Sequence, residues 1–317
     1  MPDPRSNVSA LAGLAMAAAS LLGTGCSFNP PLRLNEIQGL DAAAELVDVP
    51  FHPQQANHCG PASLLTVLEY SGVATDYQTL VDRVYVPGLG GSLQAEMTAA
   101  ARSLGRVAYV LPPEEGAVLG EVAAGRPVLV LLNLGVPSSP RWHYAVVVGF
   151  DVSTNRLLLR SGLESRRVAK PSAWLRRWDW AGRWAMVLLR PGEWPARVHR
   201  SRLLEALADF ELVGPPEDVE KAWARASRAW PGESIAWLGL GNATYARSEL
   251  ARAEAAYTRA LELDPTSLPA RLNLAMVLAD SDRACEGQRL LGPPPAADHV
   301  LATTFSDLSD RLERECD

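Results

Sequence analysis

Residues 53–68 read PQQANHCGPASLLTVL, and this stretch predicts an apolar helix that begins at a thiol. Pro61 suits the opening turn of a helix, where its missing N–H costs no hydrogen bond. Leu64 and Leu68 recur at helical spacing and predict a buried face. The unpaired N–H groups and the positive end of the helix dipole favour thiolate over thiol at such a terminus. Cys59 is therefore the candidate nucleophile.

Gln54 and His143 are the other candidate catalytic residues. Gln54 lies five residues before Cys59, where its side-chain amide and the Cys59 N–H could bind a developing oxyanion. His143 opens the run HYAVVVGF, whose β-branched alternation predicts a strand. An imidazole within hydrogen-bonding reach of the thiol would form a thiolate–imidazolium pair. His52 and His58 are weaker candidates, since His52 lies in an extended lead-in and His58 should point away from the thiol.

The CGPASL motif after Gln54, together with HYAVVVG further on, resembles the bacteriocin-processing (double-glycine leader) cysteine peptidases. The resemblance covers roughly residues 47–191 and is closest to bacterial lipoproteins that join such a domain to tetratricopeptide repeats. It implies a papain-like fold, with Cys59 as nucleophile, His143 as base and Gln54 as oxyanion donor. We therefore expect an α+β papain-like cysteine peptidase domain at residues 46–192.

Papain-like peptidases orient the imidazole with an Asp or Asn on the strand after the histidine, and this sequence departs from that pattern. Asp151 is too far along its strand, on the order of 26 Å from His143 at about 3.3 Å per residue. If residues 152–155 close a hairpin, the positions opposite His143 run from Ser161 to Glu164. Ser161 is the favoured partner, with Glu164 or neither left open. A hydroxyl stabilises an imidazolium less than a carboxylate does.

The rest of this domain predicts helices first and a mostly antiparallel sheet afterwards, which fits an α+β fold. The predicted helices are 75–84, 92–104 with Ser92 as N-cap, and 114–124, and the predicted strands are 107–111, 127–133, 143–150, 156–162 and 184–189. Residues 88–91 predict a turn rather than a phosphate loop, because no strand precedes them and no Lys-Ser/Thr follows.

Residues 1–26 have the pattern of a signal peptide, with an apolar, alanine-rich run before LLGTGC. The ending resembles a bacterial lipobox with Cys26 as the lipidated residue, although Leu22 lies four residues before the cysteine where three is usual. Acyl chains would hold the protein at a membrane surface without spanning the membrane. By lipoprotein sorting rules, Ser27 favours the outer membrane, so we expect a periplasm-facing envelope protein with residues 27–45 as a tether. Simple secretion and an uncleaved anchor are the alternatives.

Alanine-rich helical periodicity replaces the strand signals from about residue 200. Pro231 and Pro265 lie 34 residues apart, as do Trp223 and Tyr257, and this period predicts tetratricopeptide repeats. We expect an all-α repeat domain at residues 193–317. Such arrays commonly bind protein partners, and the alternative is a packing domain that supports the enzyme.

Cys285 and Cys316 remain after the lipid site and the nucleophile are assigned. An exported protein meets an oxidising compartment, so they form either a disulfide or two buried free thiols. The net charge of -6 gives no reason to expect a nucleic-acid partner. No His or Cys spacing resembles a zinc site, so we expect no metal and no cofactor.

Residues 156–183 carry eight Lys or Arg against two acidic residues, interleaved with three tryptophans. This mixture could bind an anionic polymer or lipid headgroups. We favour a solvated rim with the tryptophans packed beneath it.

The sequence thus favours a lipid-anchored cysteine peptidase that acts on a peptide or protein substrate. A catalytically weak scaffold for protein binding is one alternative, supported by the missing Asp or Asn. An amidase or acyl transferase on cell-wall or lipid material is another, for which the basic segment gives the only hint.

Overall fold

The computed structural model describes residues 32–316. The strands are β1 (Ala43–Glu45), β2 (Val107–Val110), β3 (Val128–Asn133), β4 (Trp142–Asp151), β5 (Arg156–Ser161), β6 (Glu164–Ala169) and β7 (Ala185–Leu189). The helices of the first part are α1 (Cys59–Tyr70), α2 (Tyr77–Val84), α3 (Gln94–Ser103), α4 (Glu115–Ala123) and α5 (Pro171–Asp179). Those that follow are α6 (Arg200–Glu211), α7 (Pro216–Ala229), α8 (Ser234–Ala246), α9 (Leu250–Leu263), α10 (Leu268–Ala279), α11 (Ala284–Leu291) and α12 (Ala302–Cys316).

The strands form one antiparallel sheet in the order β2-β7-β3-β4-β5-β6, and β1 pairs with the far end of β4. An α+β domain followed by a mostly helical region is therefore confirmed. The tether predicted for 27–45 is wrong at its end, because Ala43–Glu45 joins the sheet. The backbone N–H of Leu34, whose side chain is fully buried, also donates to Asn155 Oδ1 at 3.0 Å. The predicted signal peptide and the lipidation of Cys26 lie outside the described residues.

α1 packs across the central strand β4 and builds the core beneath the candidate site. Leu64 and Leu68 are fully buried in one cluster with Tyr144 and Val146. Burying a leucine side chain contributes about 1.5 to 3 kcal/mol, so this contact fixes the helix on the sheet. Since α1 crosses the start of β4, its first residue, Cys59, comes close to that end of the strand.

Gly60 allows α1 to approach the segment before α3. A Cβ at this position would lie 2.3 Å from Ser92 Oγ. The prediction that Ser92 caps α3 is wrong, because the helix begins at Gln94 after Leu93 and has no side-chain cap. The Ser92 hydroxyl packs against Gly60 instead, and it is buried without a hydrogen-bond partner.

The basic segment contains two elements that the sequence did not reveal, β6 and α5. Trp174 and Trp178 lie on the buried side of α5 with their rings stacked at 5.0 Å. Trp178 Nε1 also donates to the carbonyl of Trp184 at 2.9 Å. Two of the three tryptophans therefore pack beneath a charged surface, as the favoured interpretation expected, whereas Trp180 is half-buried with Arg176 over its ring.

The helical region from α6 onwards repeats regularly. α7 and α9 begin 34 residues apart, and so do α8 and α10. Gly239 packs against the ring of Trp223 and Gly241 against the ring of Tyr257, where a Cβ would come within 2.3 and 2.4 Å of ring atoms. Both glycines lie on α8, so this helix packs closely against an aromatic ring of each neighbouring helix, α7 and α9.

This region contacts the sheet domain through α6. Arg102 Nη2 on α3 lies 2.6 Å from Asp209 Oδ2 on α6. The connecting segment is held by the buried carboxylate of Glu121, which accepts from the Ala196 N–H and from Arg126 Nε, each at 2.6 Å. At the far end, a disulfide joins Cys285 and Cys316 and ties α11 to α12. None of the described helices is long and apolar enough to cross a membrane.

Candidate active site

Cys59 is the first residue of α1 and the only free cysteine among residues 32–316. A turn precedes it, in which the His58 N–H donates to the Gln55 carbonyl at 3.1 Å. Asn57 adopts a φ of 64° in this turn, a conformation that asparagine tolerates better than most residues. The turn reverses the chain, so that Gln54 lines the same cavity as Cys59.

That cavity has a volume of about 930 Å³ and also contains His143 in its lining. We call it the main cavity. Its walls come from the start of α1, the segment before α3, the β3–β4 loop and the turn after β5. The apolar lining consists of Leu89, Leu93, Leu131, Leu134 and Trp142, and the charged lining consists of Arg141 and Arg167. Volumes of this size are typical of ligand sites.

His143 is the second residue of β4 and is only 8% exposed. Its Nε2 lies 2.9 Å from Ser161 Oγ. Glu164 is turned to Arg167, whose Nη1 donates to Oε1 at 3.0 Å. Asp151 accepts hydrogen bonds from Ser153 and Thr154 within its own turn. Of the predicted partners, the structure therefore brings only Ser161 to the imidazole.

A β-bulge explains why Ser161 faces His143. Val147 pairs with Leu159 but Gly149 pairs with Leu158, so β4 carries one extra residue between them. This residue shifts the register by one position, which moves side chains of β5 to the opposite face relative to β4. Ser161 consequently shares a face with His143 as a diagonal neighbour.

The turn after β5 also holds the predicted oxyanion donor. The backbone N–H of Gln54 donates to the carbonyl of Gly162 at 3.3 Å. Gly162 directly follows Ser161 and has a φ of 66°, which favours glycine. One turn thus positions both the partner of the imidazole and the segment that carries Gln54.

The thiol of Cys59 is in a mixed environment. Burial raises its pKa, while hydrogen bonds from the backbone N–H groups of Tyr144, Gly60 and Cys59 itself act in the opposite direction. Tyr144 is the residue after His143, so the sulfur lies beside the strand that carries the imidazole. Burial has the larger effect, and the resting sulfur is a thiol.

The imidazole of His143 is neutral for related reasons. Burial, followed by the charges of Arg167, Arg141 and Arg177, lowers its pKa to about 4. Among the described residues, no hydrogen bond joins the thiol to this ring. The resting site therefore differs from the predicted thiolate–imidazolium pair, because burial and three cations oppose a charged imidazole.

The two weaker histidine candidates point elsewhere. His52 Nε2 lies 2.6 Å from Glu69 Oε2. His58 Nδ1 lies 3.2 Å from the Tyr77 hydroxyl, and its ring packs against Tyr85 at 4.6 Å. Neither residue lines the main cavity.

The sequence analysis did not identify several residues that line or support the main cavity. Buried Asn133 shapes the β3–β4 loop, since its Oδ1 accepts from the N–H groups of Gly135 and Arg141 at 2.9 Å each. Arg141 and Arg167 line the wall, and their one sequence signal was the abundance of basic residues. Within residues 32–316, no group of three or more His, Cys, Asp or Glu side chains is arranged to hold a metal ion.

A comparison with protein families matches the part of the chain that contains these residues. Residues 46–179 match the Peptidase_C39 like family. A crystal structure of a candidate C39-like peptidase from Bacillus anthracis aligns with a TM-score of 0.40 at 17% identity, covering 47% of this chain and 98% of that chain. No curated protein matches the chain. The family match supports a papain-like cysteine peptidase domain of the α+β class within this chain.

Proposed function

We propose that Cys59 and His143 hydrolyse peptide bonds in a peptide or protein substrate bound in the main cavity. The observation that carries this proposal is the shared cavity, in which the N–H of Tyr144 reaches the sulfur while Ser161 occupies Nε2 of the neighbouring His143. Nδ1 is then the ring nitrogen left to act on the thiol. For this role, Nε2 carries the ring proton, and this N–H donates a hydrogen bond to Ser161 Oγ.

The first half-reaction forms an acyl-enzyme. As the sulfur attacks the scissile carbonyl carbon, the thiol proton moves to Nδ1 of His143. The oxyanion that forms is held by the Cys59 N–H and the side-chain amide of Gln54. His143 then gives the proton to the leaving nitrogen as the C–N bond breaks, so the amine departs neutral.

The second half-reaction regenerates the enzyme. Water attacks the thioester carbonyl and gives a proton to His143, and the same donors hold the second oxyanion. The C–S bond breaks, the carboxylic acid leaves, and the proton returns to the sulfur. Because both groups are neutral at rest, the proton moves during attack rather than before it.

The remaining parts place this chemistry at the cell envelope in our proposal. Lipidated Cys26 anchors the chain to the outer membrane, facing the periplasm. The 34-residue spacing of the helix starts supports tetratricopeptide repeats that bind a protein partner. The disulfide between Cys285 and Cys316 is consistent with export to an oxidising compartment.

A catalytically weak scaffold is the second candidate, and one observation favours it. Among residues 32–316, no carboxylate contacts the ring of His143, and its pKa is lowered to about 4. Such an imidazole is a weak base at neutral pH. In this case, the cavity and the helical region would bind a protein without cleaving it.

Cleavage of a random peptide library, read by mass spectrometry, separates the two candidates. The wild type is compared with Cys59→Ala and His143→Ala, and His52→Ala serves as the control because His52 pairs with Glu69 outside the main cavity. We expect new peptide ends from the wild type and His52→Ala, and losses of at least about 100-fold in the other two. Products that persist in Cys59→Ala, or their absence from the wild type, would reject the peptidase.

A further inference from the structure

Three arginines from different elements surround the imidazole of His143. Arg141 ends the β3–β4 loop, Arg167 lies on β6 and Arg177 on α5, and the charges of all three act on the ring. Arg141 and Arg167 line the main cavity. Arg167 and Arg177 also line a second cavity of about 200 Å³, together with Ser161 and Lys170. We call these four basic residues the basic wall.

The basic wall lacks a matching negative charge. No Asp or Glu lines either cavity in the described part of the chain. Within the same residues, the side chains of Arg141, Lys170 and Arg177 form no salt bridge, and Arg167 pairs only with Glu164. Glu164 is 59% exposed, and such surface pairs contribute little. The wall thus presents excess positive charge to a concave, partly apolar site.

The chemistry places this charge on one side of the scissile bond. In the proposed cycle, His143 protonates the leaving amine, so the residue C-terminal to the scissile bond lies beside the imidazole. The basic wall faces the same imidazole. Groups just after the cleavage point would therefore meet the arginines, whereas the acyl part lies towards Cys59 and Gln54.

We propose that the basic wall binds a carboxylate on the leaving-group side of the substrate. This inference rests on the proposed function and names its substrate class: a peptide with an acidic side chain just after the scissile bond, or with its free C-terminus there. Guanidinium groups bind carboxylates through paired, charge-assisted hydrogen bonds. The apolar lining of the main cavity would hold the neighbouring side chains.

A bound carboxylate would also supply the charge that the site lacks. It would offset the arginines that disfavour a protonated His143, which makes the imidazole a better proton acceptor once substrate is present. Ser161 provides no such charge at Nε2. The substrate itself would then complete the electrostatics that a carboxylate partner provides in other sites.

The first test compares anionic iodoacetate with neutral iodoacetamide as probes of Cys59 in the full chain. In both reactions the thiolate displaces iodide, an S–C bond forms and the proton goes to solvent, so only the charge of the reagent differs. Mass spectrometry quantifies the label at Cys59 and gives the rate with iodoacetate divided by the rate with iodoacetamide. The same ratio measured for N-acetylcysteine is the reference. We expect the ratio at Cys59 to be about ten times that of N-acetylcysteine, and we expect it to fall as the salt concentration rises.

Matched arginine variants test whether the basic wall is what favours the anionic reagent. Arg167→Gln and Arg177→Gln should each lower the ratio roughly threefold or more. Arg166→Gln and Arg176→Gln are the controls and should leave it unchanged, because Arg166 pairs with Glu45 and Arg176 lies over Trp180. A wild-type ratio equal to the reference, or equal losses in test and control variants, would overturn the proposal.

The second test uses peptides and separates the two sources of carboxylate. A cleaved library peptide is resynthesised with Asp or Asn after the scissile bond, and with a free or amidated C-terminus. If no library peptide is cleaved, calorimetry measures the binding to Cys59→Ala of model tetrapeptides that end in Asp or Asn, each with a free or amidated C-terminus. Preference for Asp or for the free terminus identifies the source, and its loss in Arg167→Gln and Arg177→Gln supports the basic wall. Cleavage that is equal for all four peptides and unchanged in Arg167→Gln and Arg177→Gln overturns the inference but leaves the peptidase intact. Acidic peptides that bind but are never cleaved by the wild type reject the peptidase alone.

Discussion

Ser161 Oγ lies 2.9 Å from Nε2 of His143, so the side chain that contacts this ring nitrogen is a neutral hydroxyl. The hydroxyl fixes the orientation of the ring and can accept its N–H. It adds no negative charge near an imidazole that already faces three arginines. Ser161 therefore orients the imidazole of His143 without raising its pKa.

Replacing Ser161 with Asp should reverse that limitation. A carboxylate beside Nε2 favours the protonated ring, so Ser161→Asp should raise the pKa of His143 from about 4 by roughly one unit or more. NMR titration of the histidine ring protons measures this shift. Ser161→Ala is the matched control, since it removes the hydrogen bond without adding charge, and it should lower kcat of a cleaved peptide without raising the pKa. An unchanged pKa in Ser161→Asp would show that position 161 does not contact the ring.

The neutral state of His143 predicts how stability changes with pH. The ring's pKa is about 4 in the fold, against 6.5 for the ordinary group. Between these values the unfolded chain binds a proton that the folded chain does not. Stability from this group is therefore complete above about pH 6.5 and is lost as the pH falls towards 4. At pH 5 the loss is on the order of 2 kcal/mol.

Urea unfolding of the wild type and of His143→Asn at pH 7.5 and pH 5 measures this loss. Asparagine at position 143 cannot bind a proton. The stability lost between pH 7.5 and pH 5 should therefore be smaller in His143→Asn than in the wild type, by about 2 kcal/mol. His199→Asn is the control and should follow the wild type, because His199 is exposed and its side chain forms no hydrogen bond or salt bridge within residues 32–316. Equal losses in His143→Asn and the wild type would mean that the fold does not lower the pKa of His143.

The thiol of Cys59 should lose its proton only at high pH. Since burial raises the pKa of Cys59 above the ordinary value of 9.0, iodoacetamide labelling of the free protein should still increase between pH 8 and pH 10. Labelling rates across pH 5 to 10, mapped to Cys59, test this expectation. A plateau below pH 7 that disappears in His143→Ala would instead establish a thiolate–imidazolium pair at rest.

Local pattern was enough to predict much of the fold and to propose its catalytic residues. Cys59 at a helix start and His143 in a β-branched run follow from periodicity. Choosing between Ser161 and Glu164 required the register of β4 and β5, which a bulge near Val148 sets. Gly149 is a sequence signal for such a bulge, but it does not give the register. Arg141 lines the main cavity because the side chain of Asn133 holds the β3–β4 loop in shape, and no local sequence pattern predicts this contact.

Ser92 shows the same limit, because its environment depends on a neighbour 32 positions away in sequence. A serine before a helical run predicts a cap, but packing against Gly60 takes its place. The contact is a tertiary one and no local propensity reports it. Here tertiary packing overrides the cap preference.

The contact between Gly60 and Ser92 supports a final prediction, about the placement of the nucleophile. Gly60→Ala would put a Cβ 2.3 Å from Ser92 Oγ and 2.6 Å from Ser92 Cβ, so α1 or the segment before α3 must shift. Overpacking of this kind costs about 1 to 3 kcal/mol. Chemical denaturation should show this loss, and iodoacetamide labelling of Cys59 should change with it.

A second substitution tests whether that contact is the cause. Ser92→Gly removes both clashing atoms, so the double variant Gly60→Ala/Ser92→Gly should recover most of the stability lost in Gly60→Ala. The double-mutant cycle should give a coupling energy of about 1 kcal/mol or more. Ser103→Gly, near the end of α3 and away from Gly60, is the control and should give no rescue. Additive losses in the Gly60–Ser92 cycle would mean that Ser92 does not cause the loss in Gly60→Ala, and that the position of Cys59 does not depend on this close approach.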